Sequence, residues 1–173
     1  MRLEHAGHGR LMLRWLLAAV VLLILGGCRP GEPGIAPPEI QYGVESCAQC
    51  NMIISDARFA AGYVIEVAEG RYESLAFDDI GDMLEHAAQD PAQEIVTWYV
   101  HDYATEEWLD ATDAHFVVGQ AIRSPMAAGL AAHAHVEQAH EMAAAHDGMV
   151  LDWSELQSAL DPDGRIGMLE HQH

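Results

Sequence analysis

The chain contains no lysine. Its eight cationic side chains are all arginines, set against 27 Asp and Glu, for a formal net charge of −19. A surface so poor in positive charge repels a phosphate backbone, which argues against nucleic acid as a partner. Cysteine is scarce as well: Cys28, Cys47 and Cys50 are the three. A closed structural zinc site takes about four ligands, and here one C-x-x-C has no second pair. His133-x-His135 is spaced too closely to stand in for a finger's histidine pair. No G-x-S-x-G and no phosphate-cradling glycine loop occurs, so no local signature of a serine nucleophile or a nucleotide site is present. The apolar run Trp15 to Leu25 falls short of the ~20 residues that span a bilayer comfortably. Half of all residues are nonetheless hydrophobic, enough for a packed core and against wholesale disorder.

What is present begins with an export signal. Arg2, Arg10 and Arg14 precede the apolar run, and Leu25-Gly26-Gly27-Cys28 follows it. An aliphatic residue and two small residues before a cysteine is the pattern read by a lipoprotein signal peptidase, whose substrate thiol carries a diacylglyceryl group. Residues 1–27 are therefore expected to be a cleaved signal peptide, with Cys28 the lipidated first residue of the mature protein. The alternative is a single transmembrane anchor with an incidental cysteine. Cleavage would remove three Arg and one Glu, leaving five Arg against 26 acidic residues, net −21. The expected location is the cell envelope, lipid-anchored to a membrane and facing the periplasm or extracytoplasmic space.

Residues 28–45 read as a Pro/Gly linker, reaching roughly 50 Å if near-extended. After it, Phe59 to Val67 and Tyr72 to Phe77 read as strands joined at a Glu69-Gly70 turn. Asp78-Asp79 should cap a helix whose apolar stripe is Ile80, Met83, Leu84, Ala87 and Ala88, stopped by Asp90-Pro91. Ile95 to His101 follows as a strand. A looser second copy places short strands at Trp108 to Ala111 and His115 to Val118, then an Ala-rich helix over Ala128 to His146. Gly148 ends it, and a last strand, Met149 to Trp153, precedes a short helix. The expected fold is α+β with two small related ββαβ-type halves, residues 46–102 and 103–160, and a flexible tail at 161–173.

Cys47-Ala-Gln-Cys50-Asn-Met52 places two thiols and a thioether within six residues. Both are soft donors that select Cu(I) over hard ions. Six methionines and nine histidines follow residue 28, the histidines concentrated after residue 130. Bland readings stand beside this one. Paired cysteines outside the cytoplasm ordinarily form a disulfide. Met83 on its helical stripe fits core packing, as do Met149 and Met168. On the second helix, His135, Met142 and His146 share one face and His133, Glu137, His140 and Glu141 another; either could bridge a metal or be a solvated face. The acidic triplet Asp78-Asp79-x-x-Asp82 could serve acid–base work, but helix capping is the simpler account.

Cys47-Ala-Gln-Cys50-Asn-Met52-Ile-Ile-Ser-Asp56-Ala-Arg58-Phe59 resembles the signature of NosL, the family of nitrous oxide reductase accessory lipoproteins. The similarity continues through Phe77-Asp78-Asp79-Ile80-Gly81-Asp82-Met83, Val100-His-Asp102-Tyr103, Trp108-Leu-Asp-Ala, Ser124-Pro125-Met126 and Asp147-Gly148, spanning about residues 46–156. The resemblance implies an extracytoplasmic Cu(I) chaperone and not an enzyme. It implies as partners the nitrous oxide reductase apo-protein with its copper/sulfur assembly machinery, and a fold like the two-part ββαβ arrangement of organomercurial lyase. By the motif, Cys50 and Met52 are the copper ligands, Met126 a third, and Cys47 and Met83 secondary candidates. The family pattern has glycine where this chain has Asn51, and often glycine after Pro-Met where it has Ala127. A reading of another class, a lipid-anchored thiol–disulfide oxidoreductase using Cys47 and Cys50, wants its C-x-x-C at a helix N-terminus. Here the motif leads toward a strand, among acidic neighbours such as Glu45 and Asp56.

Overall fold

Ala61–Ala68, buried throughout its first five residues, forms strand β1, and the Glu69-Gly70 turn, with Gly70 at φ 68°, returns the chain as β2, Arg71–Phe77. A computed structural model describes residues 34–167. The export signal, Cys28, Met168 and the rest of the final six residues lie outside them. Asp79 is the N-cap of helix α1, Ile80–Gln89, its carboxylate accepting from the Gly81 N–H at 2.7 Å. Strand β3, Ile95–His101, then pairs with β1 on the side opposite β2.

β4, Trp108–Asp110, extends this first sheet, giving the order β2-β1-β3-β4. The segment thus joins β3 and does not open the second copy, since the Asp102–Glu107 turn folds it straight back: Glu106 N–H bonds Asp102 O, and Asp102 N–H bonds Glu107 O. After a short 3₁₀ turn at Ala111–Asp113 come β5 (His115–Val118), β6 (Leu130–His133), helix α2 (Val136–His146), β7 (Met149–Leu151) and helix α3 (Trp153–Ser158). The second sheet has the order β6-β5-β7, all antiparallel.

Both sheets therefore follow one plan: the first strand is central, the second flanks it, a helix crosses, and the third strand takes the free side. The expected α+β fold with two related ββαβ halves is what the chain adopts. Besides β4, one element differs. The Ala-rich stretch expected to be helical from Ala128 holds β6 instead, and helix begins only at Val136. Alanine favours helix locally, but Leu130 to His133 gain a full antiparallel ladder to β5, and pairing overrides propensity.

Aromatic residues lock the two sheets together. Trp153 of α3 packs against Trp98 of β3 and Phe116 of β5, with ring centroids 5.3 and 5.6 Å apart. The end of the Pro/Gly segment is also folded in. Pro38 is buried against Gly62, where any Cβ would lie 2.5 Å from its ring, and Ser74 Oγ donates to Ala36 O at 3.3 Å. None of the helices among the described residues is long and apolar enough to cross a membrane.

Candidate metal centre

Residues 47–52 form a closed turn between paired arms. Ser46 and Ile53 make an antiparallel bridge, the Cys47 N–H bonds Met52 O at 2.8 Å, and the Asn51 N–H bonds Cys47 O at 3.0 Å. To close this turn Asn51 adopts φ 61°, the left-handed region that asparagine tolerates better than most non-glycine residues. Ala127 also sits at φ 61°. Both positions where this chain departs from the family's glycine thus have a backbone that favours glycine.

The turn directs both thiols at helix α1. Cys47 is buried and donates its thiol proton to Asp82 Oδ2 at 3.3 Å. Cys47 and Cys50 are free thiols, not a disulfide. Their sulfurs and an Asp82 oxygen lie within 4.8 Å of one another, the one such three-donor cluster of His, Cys, Asp and Glu among the described residues. Burial pushes the Cys50 thiol up to about 12, helped by its hydrogen bond to the Asp82 carboxylate and by Cys47; the Met52 N–H opposes the shift. The Cys50 thiol holds its proton until something displaces it.

The three acidic residues have separate tasks. Asp78 Oδ1 accepts from the Ser55 N–H at 3.2 Å and holds the strand after the cysteine turn. Asp79 caps α1 with one oxygen and accepts the Met126 N–H with the other, at 3.2 Å. Burial raises the pKa of both. Asp82 faces the thiols. The capping expected of the pair belongs to Asp79 alone. The role of Asp82 escaped sequence reading; the signal available was a triplet with more carboxylates than one helix start needs.

Asp79 thereby brings the Ser124-Pro125-Met126 segment to the same helix end. Ala128 packs so closely there that a Cβ on Gly81 would lie 2.3 Å from its own Cβ. A cleft of about 200 Å³ runs between Asp82 and Met126, lined also by Glu85, Leu130 and Arg165. Met52 and Met126 are 54% and 36% exposed, at the outer side of the cysteine turn and the cleft. Met83 is fully buried in the core, where its thioether serves packing. Arg58, in the same motif, fixes the exit of the turn: its guanidinium grips Asp56 at 2.6 and 2.9 Å and donates to Tyr103 OH at 3.3 Å.

The second helical cluster is rearranged by β6. His133 belongs to that strand and His135 caps α2, so neither lies within the helix. His133 Nε2 instead meets Met142 Sδ at 3.4 Å, which joins residues expected on different faces.

The Cys47–Cys50–Asp82 cluster has the donors for a soft cation, a buried and a half-buried thiol with a carboxylate to balance charge, and the thioethers of Met52 and Met126 stand exposed on the turn and the cleft. It lacks the helix N-terminus and depressed thiol that a thiol–disulfide oxidoreductase needs. Comparisons with known proteins agree in fold and sequence. The chain is 30% identical over 163 residues, 84% of this chain and 80% of the relative, to the copper-binding lipoprotein NosL of Stutzerimonas stutzeri. The crystal structure of the copper chaperone NosL from Shewanella denitrificans superposes with a TM-score of 0.60 at 19% identity, covering 71% of this chain and 96% of that one. With the NosL family model matching residues 40–160, the chain belongs to the NosL family.

Proposed function

We propose that the protein is a copper chaperone of the bacterial envelope that binds Cu(I) and hands it on for assembly of the copper–sulfide centre of nitrous oxide reductase. Lipid at Cys28 tethers it to the membrane, facing the periplasm or extracytoplasmic space. The observation that carries this reading is the split donor set. Cys50 lies in the protonated thiol cluster with Cys47 and Asp82, while the thioethers of Met52 and Met126 stand exposed.

That split suits delivery. Copper displaces the Cys50 proton on loading, so the empty thiol stays protonated and slow to oxidise. The exposed thioethers are weak, neutral donors that a partner's ligands can replace one at a time. The surplus of negative charge steers a basic docking face toward the cleft. The recipient is the nitrous oxide reductase apo-protein or its copper/sulfur assembly machinery.

The test is competition of the full chain, in detergent micelles, against a chromogenic Cu(I) chelator under anaerobic reduction. Cys50→Ser and Met52→Leu should each weaken a one-to-one site at least tenfold, and the loaded chain should raise the copper content of apo nitrous oxide reductase. Affinity indifferent to both substitutions would overturn the site.

A further inference from the structure

Outside the cysteine turn, one buried histidine meets a methionine sulfur through one ring nitrogen and leaves the other without a partner. His133 on β6 is 3% exposed. Its Nε2 lies 3.4 Å from Met142 Sδ on α2, and its Nδ1 lies 3.9 Å from Asp102 Oδ1, too far for a hydrogen bond. Nδ1 is buried with no partner, one of two such side-chain atoms among the described residues.

Neither neutral form of the ring satisfies both ends. With the proton on Nε2, the Nδ1 lone pair faces the Asp102 carboxylate. With the proton on Nδ1, the Nε2 lone pair faces a thioether sulfur that has no proton to give. Asp102 cannot turn away, because its oxygens are committed to the N–H of Ala134 at 2.9 Å and to the N–H and hydroxyl of Thr105 at 3.0 and 2.7 Å. A cation between Nε2 and Sδ removes the opposition of lone pair and carboxylate at Nδ1. It takes both lone pairs, and Nδ1 then carries the proton toward Asp102.

We propose that His133 Nε2 and Met142 Sδ form a second site for Cu(I), separate from the cysteine turn, with the Asp102 carboxylate facing Nδ1 from 3.9 Å away. The spacing fits. With bonds of ~2.0 Å to nitrogen and ~2.3 Å to sulfur, a separation of 3.4 Å closes an N–metal–S angle of roughly 105°. A borderline imidazole and a soft thioether, both neutral, are a donor set that favours a monovalent copper ion over hard divalent cations. A histidine bound through one nitrogen and directed by a carboxylate at the other is the usual arrangement around protein-bound metals. His115 stands directly opposite His133 in the β5–β6 register, on the same face of the sheet, so a third imidazole is at hand. Loading this site releases no proton, because Nδ1 keeps the one the ring already has. Its residues are all distinct from those of the cysteine turn, so it stands or falls independently of that site.

The experiment is titration of Cu(I) into the full chain in detergent micelles, followed by the methionine methyl resonances in NMR and by chelator competition. The expected result is a shift of the Met142 methyl resonance by the second equivalent, in the wild type and by the first equivalent in Cys50→Ser. Met142→Leu, which keeps the side-chain volume, should weaken one equivalent at least tenfold and leave the other unchanged. A Met142 resonance unmoved by two equivalents of Cu(I) overturns the proposal, as does undiminished two-equivalent binding by Met142→Leu. Loss of the cysteine site alone would appear as a lost equivalent in Cys50→Ser with the Met142 response intact.

Discussion

The thiol of Cys47 donates to the carboxylate of Asp82 at 3.3 Å across 35 residues of chain, tying the cysteine turn to the first turn of α1. A carboxylate in this position favours neutral thiols and penalises thiolate. Asp82→Asn keeps the shape and removes the charge. Alkylation of Cys50 at pH 8 should then quicken by roughly tenfold, the effect of a one-unit fall in thiol pKa. Unchanged alkylation would mean that burial alone sets the Cys50 thiol.

Asp79 should be separable into its two tasks. Asp79→Asn retains an oxygen to cap Gly81 but turns an amide N–H₂ toward the Met126 N–H, whereas Asp79→Ala loses both bonds. The Ala variant should lose about 2 kcal/mol of unfolding free energy. The Asn variant should lose less, while its Met126 methyl resonance broadens or moves. Equal stability loss in the two variants, with Met126 undisturbed, would count against the tether.

Ala127 is held at φ 61° with no side-chain reason to be there. Relief of that conformation in Ala127→Gly should raise stability by about 1 kcal/mol, read as a higher urea midpoint. Gly81→Ala makes the opposite case: its new methyl would collide with Ala128, at a cost of about 1–3 kcal/mol. A tolerated alanine at position 81 would show that the helix start and the Met126 segment are not packed as closely as described.

Acid should loosen the first sheet through His101. This ring is 3% exposed, packs on Trp108 with centroids 3.7 Å apart at a 37° tilt, donates from Nδ1 to Ala60 O at 2.9 Å, and accepts from Tyr42 OH at 3.1 Å. Burial holds its pKa below the ordinary 6.5, against the opposing pull of the Ala60 carbonyl and Glu106. The unfolded chain therefore binds the proton first as pH falls. The stability from neutral His101 is intact above 6.5 and is lost as pH drops from there through the folded value. His86, bonded to Tyr63 OH at 2.6 Å and likewise lowered by burial, adds to the same slope. Asp78 and Asp79, raised by burial, pull the other way. Urea midpoints measured between pH 7.5 and 5 should fall, and a flat profile would contradict the assignment.

The first half of the chain was legible because its signals are local. The Glu69-Gly70 turn, the Asp79 cap and the stop at Asp90 each lie within a few residues of what they control. β6 was not legible, because what makes Leu130 to His133 a strand is β5, twelve or more residues earlier in the chain. The same reason hid half of the site. Cys47, Cys50, Met52 and Met126 announce themselves by donor chemistry, whereas the placing of Asp82 beside the thiols depends on where α1 packs. Arg58 stood in the signature, but its grip on Asp56 and its bond to Tyr103 became visible only in three dimensions.

β1 has a partner on each side, β2 and β3, and β5 likewise lies between β6 and β7. Amides in these two strands can reach solvent only when a whole ladder is breached. The cysteine turn is closed by two backbone bonds and a single bridge, and one more bond, from the Ala48 N–H to Ala76 O, ties it to β2. Deuterium should therefore enter the chain on two clocks, quickly at residues 47–53 and slowly in β1 and β5. The donor loop can breathe open to pass its cargo many times while the frame that carries it stays shut.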